Sequence, residues 1–290
     1  MTSKRLPLLF ILLMAGNLSA TEYFVGKYGH NDNEGISKDK AFRTIQHGVN
    51  ALASGDTLTI TPGEYFGNVR RKDLGSMQKD TVIRAAVPGT VVFRGDLPAP
   101  PLRRLKDSSF VYVTEFDLPM SPQAVNERDT LTILERVPNP AELAFTPGAF
   151  YHNAQTGKLY LTASDMKPVS QHRYSIAITA THGFYLSRPR RVIVDGLVFT
   201  GFNAAEEMPR RDYSLSSTWA LFLLNARDCE IRRCYAYLNG QGIALNSKDK
   251  TAGGNVIREC ETWGNGSHYG TGDRGGITAI SPRQDVIRDS

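Results

Sequence analysis

Disulfide chemistry has little to work with in this chain. Its 290 residues include three cysteines, Cys229, Cys234 and Cys260. An odd number in an exported protein leaves at least one thiol free or paired elsewhere. None belongs to a Cys-x-x-Cys pair, and no two histidines stand at zinc-ligand spacing, which argues against a zinc site. A charge excess is also lacking. The formal net charge is +5, and setting aside Lys4 and Arg5 leaves 32 basic and 29 acidic residues, a net of +3. That balance is too weak and too scattered for nucleic acid, although it is compatible with an acidic glycan. Long apolar runs are missing after the first 20 residues, so no later stretch is expected to cross a membrane as a helix.

The apolar run that does exist is N-terminal. Lys4 and Arg5 precede Leu6 to Met14, which is interrupted only by Pro7, and Asn17-Leu18-Ser19-Ala20 offers small residues for cleavage. This layout is that of a secretory signal peptide ending at Ala20. The mature chain is therefore expected outside the cytoplasm, extracellular or periplasmic, with no membrane span.

From Thr21 the pattern becomes structural. Tyr23-Phe24-Val25 reads as a strand, and Gly26 to Lys40 as a polar loop. Ala41 to Ala53 reads as a helix with Ile45, Val49 and Leu52 on one face. Ser54-Gly55-Asp56 is expected to end that helix through a left-handed glycine. Thr57 to Ile60 alternates like a strand, and Pro62-Gly63 breaks it. An amphipathic helix feeding a first strand suits the open end of a solenoid, which would otherwise expose its core and unpaired backbone.

The order Tyr23-Phe24-Val25, Asn/Asp/Gly loop, Ala41-Phe42-Arg43-Thr44-Ile45-Gln46, Ser54-Gly55-Asp56-Thr57 and Pro62-Gly63-Glu64-Tyr65 resembles the N-terminal cap of pectate-lyase-like right-handed parallel β-helix proteins. The likeness covers about Thr21 to Gly95. It implies an all-β, single-stranded solenoid with a short N-terminal capping helix. For activity it implies only a range: polysaccharide lyases, glycoside hydrolases, uronate epimerases and adhesins share that architecture.

Val82 to Ala85 and Val91 to Phe93 read as strands of early coils. Prolines then cluster from 98 to 147. Short strands are expected at Phe110 to Val113 and Thr130 to Leu134. Phe150 to His152 and Lys158 to Leu161 read as a hairpin around Asn153 to Gly157. Residues 97–168 are accordingly read as a β-rich insertion packed on the solenoid. The segments Pro147 to Tyr151 and Thr156 to Tyr160 are similar to part of β-helix proteins of glycoside-hydrolase type.

The remainder, 169–290, repeats. Gly183 to Ser187, Leu221 to Asn225, Gly242 to Asn246 and Ile277 to Ser281 align as first strands. Val192 to Gly196, Glu230 to Cys234, Val256 to Cys260 and Val286 to Ser290 align as second strands. This alignment stacks Ser187, Asn225, Asn246 and Ser281 in one column and Gly196, Cys234, Cys260 and Ser290 in another. Cys234 and Cys260 on adjacent rungs could bridge, but a column of buried thiols is the favoured reading. The chain enters a new coil at Ile277 and shows no cap after it, so further coils are expected beyond Ser290.

A parallel β-helix fills its interior, so chemistry belongs to outer faces and loops. The loop from Asn203 to Ser217 carries Glu206, Glu207, Arg210, Arg211, Asp212 and Tyr213. The loop from Gly264 to Arg274 carries His268, Tyr269, Asp273 and Arg274. In the repeat alignment both leave the same corner, flanking a short turn at Leu238 to Gln241, which predicts a cleft. A third loop, Ser247 to Gly254, carries Lys248 and leaves elsewhere. Tyr213, Tyr269 and Trp263 suit stacking on sugar rings, and the arginines suit carboxylates. β-Elimination on a uronate would draw on His268, Tyr269, Arg274 and Lys248, with Ca2+ or arginine neutralising the carboxylate. Hydrolysis would need two carboxylates, for which Glu206, Glu207, Asp212 and Asp273 are available. The expected partner is a polysaccharide or oligosaccharide. A lyase is placed slightly ahead of a hydrolase, and a non-catalytic glycan-binding or adhesin-like protein is the alternative.

Overall fold

A computed structural model describes residues 19–118, 121–179, 181–203, 218–247, 249–266, 276–280 and 284–290. Apart from one short helix and two 3-10 turns, the regular structure described is β. Three parallel sheets carry it. The first contains, in spatial order, Glu22–Val25, Thr57–Ile60, Thr81–Ala85, Val192–Asp195, Glu230–Arg232, Val256–Arg258 and Val286–Arg288. The second contains Gly63–Phe66, Val91–Arg94, Leu197–Thr200, Tyr235–Tyr237 and Glu261–Trp263. The third contains Val69–Lys72, Phe184–Ser187, Trp219–Leu224, Gln241–Asn246 and Ile277–Ile280. From Thr57 onward, outside the insertion, the chain visits the first, second and third sheets in that order and then returns to the first.

Register follows burial. Phe184, Leu221, Ile243 and Ile277 align in the third sheet. Phe184, Leu221 and Ile243 are fully buried, as are Leu186 and Leu223 two residues on. Each such side chain contributes about 2 kcal/mol when removed from water. A one-residue slip would turn every one of them outward, so the pairing is strongly specified. Val194, Ile231 and Ile257 do the same for the first sheet, and Phe93 and Phe199 for the second. Phe93 packs against Phe199 and Phe184 at ring-centroid distances of 5.0 and 5.6 Å, joining the sheets in one core.

This register corrects two expected columns. Ser187 pairs with Leu224 rather than Asn225, and Asn246 pairs with Ile280 rather than 281. Asp195 pairs with Arg232, so Gly196 stands level with Arg233 and one place before Cys234. Burial explains both: aligning Phe184 with Phe222 would have turned Leu221 and Leu223 out of the core. What does stack at this corner is backbone shape. Gly196, Arg233, Glu259 and Asp289 have φ of 74, 51, 53 and 52°. The left-handed bend strains the three non-glycine residues by about 1 kcal/mol each, and the ladder on either side holds it.

Cys234 and Cys260 do lie at neighbouring levels as expected, in the turns between the first and second sheets, and all three cysteines are free and buried. The Cys234 amide donates to Cys260 Sγ at 3.5 Å, and the Cys260 amide to Ser290 Oγ at 3.0 Å. The column is one of side-chain acceptors for backbone N–H groups, and no bridge forms.

The helix Ile45–Ala51 is shorter than the expected span from Ala41 to Ala53. Phe42 instead bridges to Val25, and Thr44 caps the helix by accepting from the His47 amide. Leu52 is already extended, so Gly55, at φ 95°, shapes the following turn rather than the helix end. In the insertion, the strand expected over Thr130 to Leu134 is reduced to Thr132–Ile133 because Leu131 has a φ of 54°. That expected at Phe110 to Val113 lies at Tyr112–Glu115. The hairpin pairs Ala149–Asn153 with Lys158–Leu161. Tyr174–Ala177, assigned in the sequence to the repeat, pairs antiparallel with Asp96–Pro98 and Ala124–Glu127 and so belongs with the insertion strands.

Candidate functional site

The chain makes its long departures from the parallel sheets at one corner, where the second sheet hands over to the third. The insertion departs after Val91–Arg94 and returns at Phe184–Ser187. Residues 204–217 lie between Leu197–Thr200 and Trp219–Leu224, and residues 267–275 between Glu261–Trp263 and Ile277–Ile280. The intervening turn, Leu238 to Gly240, is short. Its neighbours are tied down by the backbone: the Gly240 amide donates to Phe202 O at 2.8 Å, Gly266 to Asn239 O at 2.9 Å, and Ile243 to Gly276 O at 2.8 Å. Ser247 to Gly254 leaves from the other side of the third sheet, where it joins the first.

Of the candidate residues named from the sequence, Glu206, Glu207, Arg210, Arg211, Asp212, Tyr213, Lys248, His268, Tyr269, Asp273 and Arg274 lie outside the described residues. Trp263 lies within them, half-buried on the second sheet. Its ring stacks on that of Tyr237 in the neighbouring strand, 5.5 Å away and inclined by 7°.

Phe66, Arg94, Thr200, Tyr237 and Trp263 occupy successive strands of the second sheet in one register position. The insertion runs alongside this row. At one end Asp96 sits where a Gly201 side chain would go, 2.4 Å from the ideal Cβ position. At the other, the Leu131 carbonyl lies 2.6 Å from the same position on Gly264. Glycine is required at both places, by close approach and by φ of 79 and 58°. The insertion therefore walls one side of the corner over several strands.

At that wall Arg94 is fully buried. Its Nε donates to Asp96 Oδ1 at 2.8 Å and its Nη1 to Glu64 Oε1 at 2.9 Å. Burial opposes its charge, but the two carboxylates outweigh it and raise its pKa. Ser175 donates to the second oxygen of Asp96. The sequence reading missed this group, although a charged pair closing the apolar run Val91 to Phe93 around Gly95 was a signal available there. Several buried polar atoms along the junction and corner have no hydrogen-bond partner among the described residues: Arg94 Nη2, both polar side-chain atoms of Asn126, Thr200 Oγ1, Asn203 Oδ1 and Gln241 Oε1. An unpaired buried polar atom costs about 1–3 kcal/mol.

The third-sheet side of the corner is aromatic. His182 Nδ1 accepts from the Trp219 amide at 3.0 Å, which fixes its tautomer. Burial, and then the charge of Arg70, push its pKa down to about 4, so it is neutral at pH 7. His182, Tyr185, Phe222 and Trp219 form a continuous set of ring contacts 5.1 to 6.0 Å apart. Tyr185 and Trp219, both half-buried, are the rings of this wall that a sugar face could reach. As to Ca2+, no cluster of three or more His, Cys, Asp or Glu side chains among the described residues is arranged to hold a cation.

No protein-family model matches the chain, and no curated protein matches it. Solved structures do. "The complex structure of XylC with xylose" aligns with 83% of this chain and 50% of that one, at 14% identity and a TM-score of 0.60. A structure described as "Glycoside hydrolase" aligns with 83% of this chain and 65% of that one, at 11% identity and a TM-score of 0.58. The chain thus spans between half and two thirds of these neighbours. At such identities the likeness is one of fold.

Proposed function

We propose that this chain is part of a secreted carbohydrate-active enzyme, a right-handed parallel β-helix that binds a glycan at the corner between its second and third sheets and cleaves it there. The observation that carries this reading is that the chain departs from the second sheet for the insertion, before residue 204 and before residue 267 at one and the same corner, beside aromatic rings. Sugars offer the complement, C–H faces for the half-buried rings of Tyr237, Trp263 and Trp219. The two neighbours of similar fold, one holding xylose and the other called a glycoside hydrolase, favour hydrolysis. The two carboxylates it needs, about 5–9.5 Å apart, would come from Glu206, Glu207, Asp212 and Asp273. β-Elimination on a uronate is the second reading. It is favoured by the His268, Tyr269 and Arg274 segment, which offers proton-transfer groups and a cation together.

Incubation with a panel of neutral and uronate-containing polysaccharides tests both. New reducing ends without an unsaturated product indicate hydrolysis. New reducing ends with the ultraviolet absorbance of an unsaturated uronate indicate elimination. Binding without either product would leave a glycan-binding surface protein and end the enzymatic reading.

A further inference from the structure

A cavity lies at the same corner but at the N-terminal end, beside the first strands of the second and third sheets. It has a volume of about 420 Å3 and is lined by, among others, Lys27, Arg43, Glu64, Phe66, Gly67 and Asn68. That size is within the range of about 300–1,000 Å3 typical of small-ligand sites. Phe66 is 54% exposed, a large apolar ring left open at the cavity wall. The Arg94 guanidinium lies over that ring, 6.0 Å from its centroid. Beside it, Gly67 adopts φ 110°, and the space its side chain would occupy is open to 4 Å.

The polar groups here divide into committed and free. Tyr65 bonds Thr61, Gln46 bonds the Arg70 backbone, and Thr44 caps the helix. The cavity's carboxylate, Glu64, is engaged by Arg94. Lys27 Nζ donates to the Glu64 carbonyl at 2.8 Å and has further hydrogens to give. The Arg43 side chain is exposed and makes no hydrogen bond or ion pair with a described residue. A cavity that holds an exposed ring and two cations, and whose one carboxylate among the described lining residues is paired with Arg94, selects for a ligand with a ring face and negative charge.

We propose that this cavity binds an anionic sugar unit, carboxylated or sulfated, with Phe66 against the ring and Arg43 and Lys27 on the anionic group. The assignment rests on the glycan-binding reading of the corner and adds the charge class of the chain recognised. The site lies at the Phe66 end of the row that continues through Arg94 and Thr200 to Tyr237 and Trp263.

Calorimetric titration of the chain tests this with three probes: an oligogalacturonide, its fully methyl-esterified form, and a sulfated galacto-oligosaccharide. One or both charged probes should bind with an affinity that falls as salt rises, the ester at least about tenfold more weakly. Arg43→Gln and Phe66→Ala should each weaken the charged probe by about tenfold, with circular dichroism unchanged. A carboxylate-only or sulfate-only response identifies the anion. Equal binding of the ester, no binding of either charged probe, or full binding by both variants would overturn the proposal. The same samples are assayed for new reducing ends. Cleavage of a neutral glycan without anion binding would refute this site and leave the catalytic reading standing. Anion binding at Arg43 with no cleavage of any glycan would do the reverse.

Discussion

Asn239 and Asn265 occupy the same position in neighbouring strand-to-strand turns, and the side-chain amide of the first donates to the side-chain oxygen of the second at 3.0 Å. The contact belongs to a ladder. Asn239 Oδ1 accepts from the Phe202 amide at 3.1 Å, and Asn265 Oδ1 from the Asn239 amide at 3.0 Å. Cys229, Asn255 and Asp285 repeat the device at another corner: the Cys229 amide donates to Asn255 Oδ1 at 2.9 Å and the Asn255 amide to Asp285 Oδ1 at 3.0 Å. Turns that stack cannot satisfy all their N–H groups from backbone carbonyls. A short side chain on the next turn supplies the missing acceptor.

Removing such a rung should be costly. Asn239→Ala would strand the Phe202 amide and withdraw a donor from the carbonyls of Phe199 and Tyr237. A loss of about 2–4 kcal/mol is expected in urea unfolding. Asn239→Asp should be worse than alanine. It keeps the acceptor but turns a second oxygen onto those carbonyls and Asn265 Oδ1. If the aspartate variant proved the more stable of the two, the ladder would not be the reason for asparagine here.

The cysteine column makes a chemical prediction. Cys234 is fully buried, and burial raises its thiol pKa well above the ordinary value. Native protein should resist a thiol-alkylating reagent at Cys229, Cys234 and Cys260 and take up three equivalents once unfolded, as counted by intact mass. At position 260 serine should be tolerated better than valine, because Ser290 already performs the same acceptor role one strand on. Cys260→Val should lose about 1–3 kcal/mol.

In the insertion, His172 lies between two carboxylates, Asp129 Oδ2 at 2.8 Å and Asp165 Oδ1 at 3.1 Å. Burial opposes its charge, but these hydrogen bonds and the nearby Glu127 prevail and raise its pKa above 6.5. A raised folded-state pKa gives stability that is fully present below the unfolded value, about 6.5. That stability is lost as pH rises through the folded value. His172→Gln should therefore lower the Tm at pH 5 by more than it does at pH 9. An equal drop at both values would show that the charge on His172 contributes nothing.

Much of the strand pattern was legible because short apolar runs end in small or polar residues. The pairing was less so. In Trp219–Leu224 the outward residue Phe222 is as apolar as its inward neighbours Leu221 and Leu223 and is only 2% exposed. The period of two that would have fixed the register is absent there. Phe222 is covered from outside by Trp219 and by His182, and His182 is too distant in sequence for any local window to contain it. That residues 204–217 and 267–275 each interrupt the repeat between the second and third sheets could be read from spacing. The insertion's use of that corner could not, because Tyr174–Ala177 alternates no differently from a strand of the repeat. The buried group of Arg94, Asp96 and Ser175 spans 79 residues at its longest hydrogen bond.

That group provides the last prediction. Arg94 and Asp96 are both almost wholly buried, and their ion pair stands where the second parallel sheet gives way to the insertion. Removing one partner leaves the other charge buried without compensation, which typically costs about 3–5 kcal/mol. Arg94→Met and Asp96→Leu should each lose stability of that order in urea unfolding. The double variant should lose far less than the sum, because no buried charge remains. The interaction has a directional consequence as well. Asp96 also accepts from Ser175 in the insertion, so its loss should loosen the insertion before the parallel sheets. Hydrogen exchange should accelerate in Tyr174–Ala177 in Asp96→Leu while Val194, Ile231 and Ile257 stay protected. Uniform acceleration across both regions would mean that the insertion and the sheets unfold as one unit and that Asp96 does not join two separable parts.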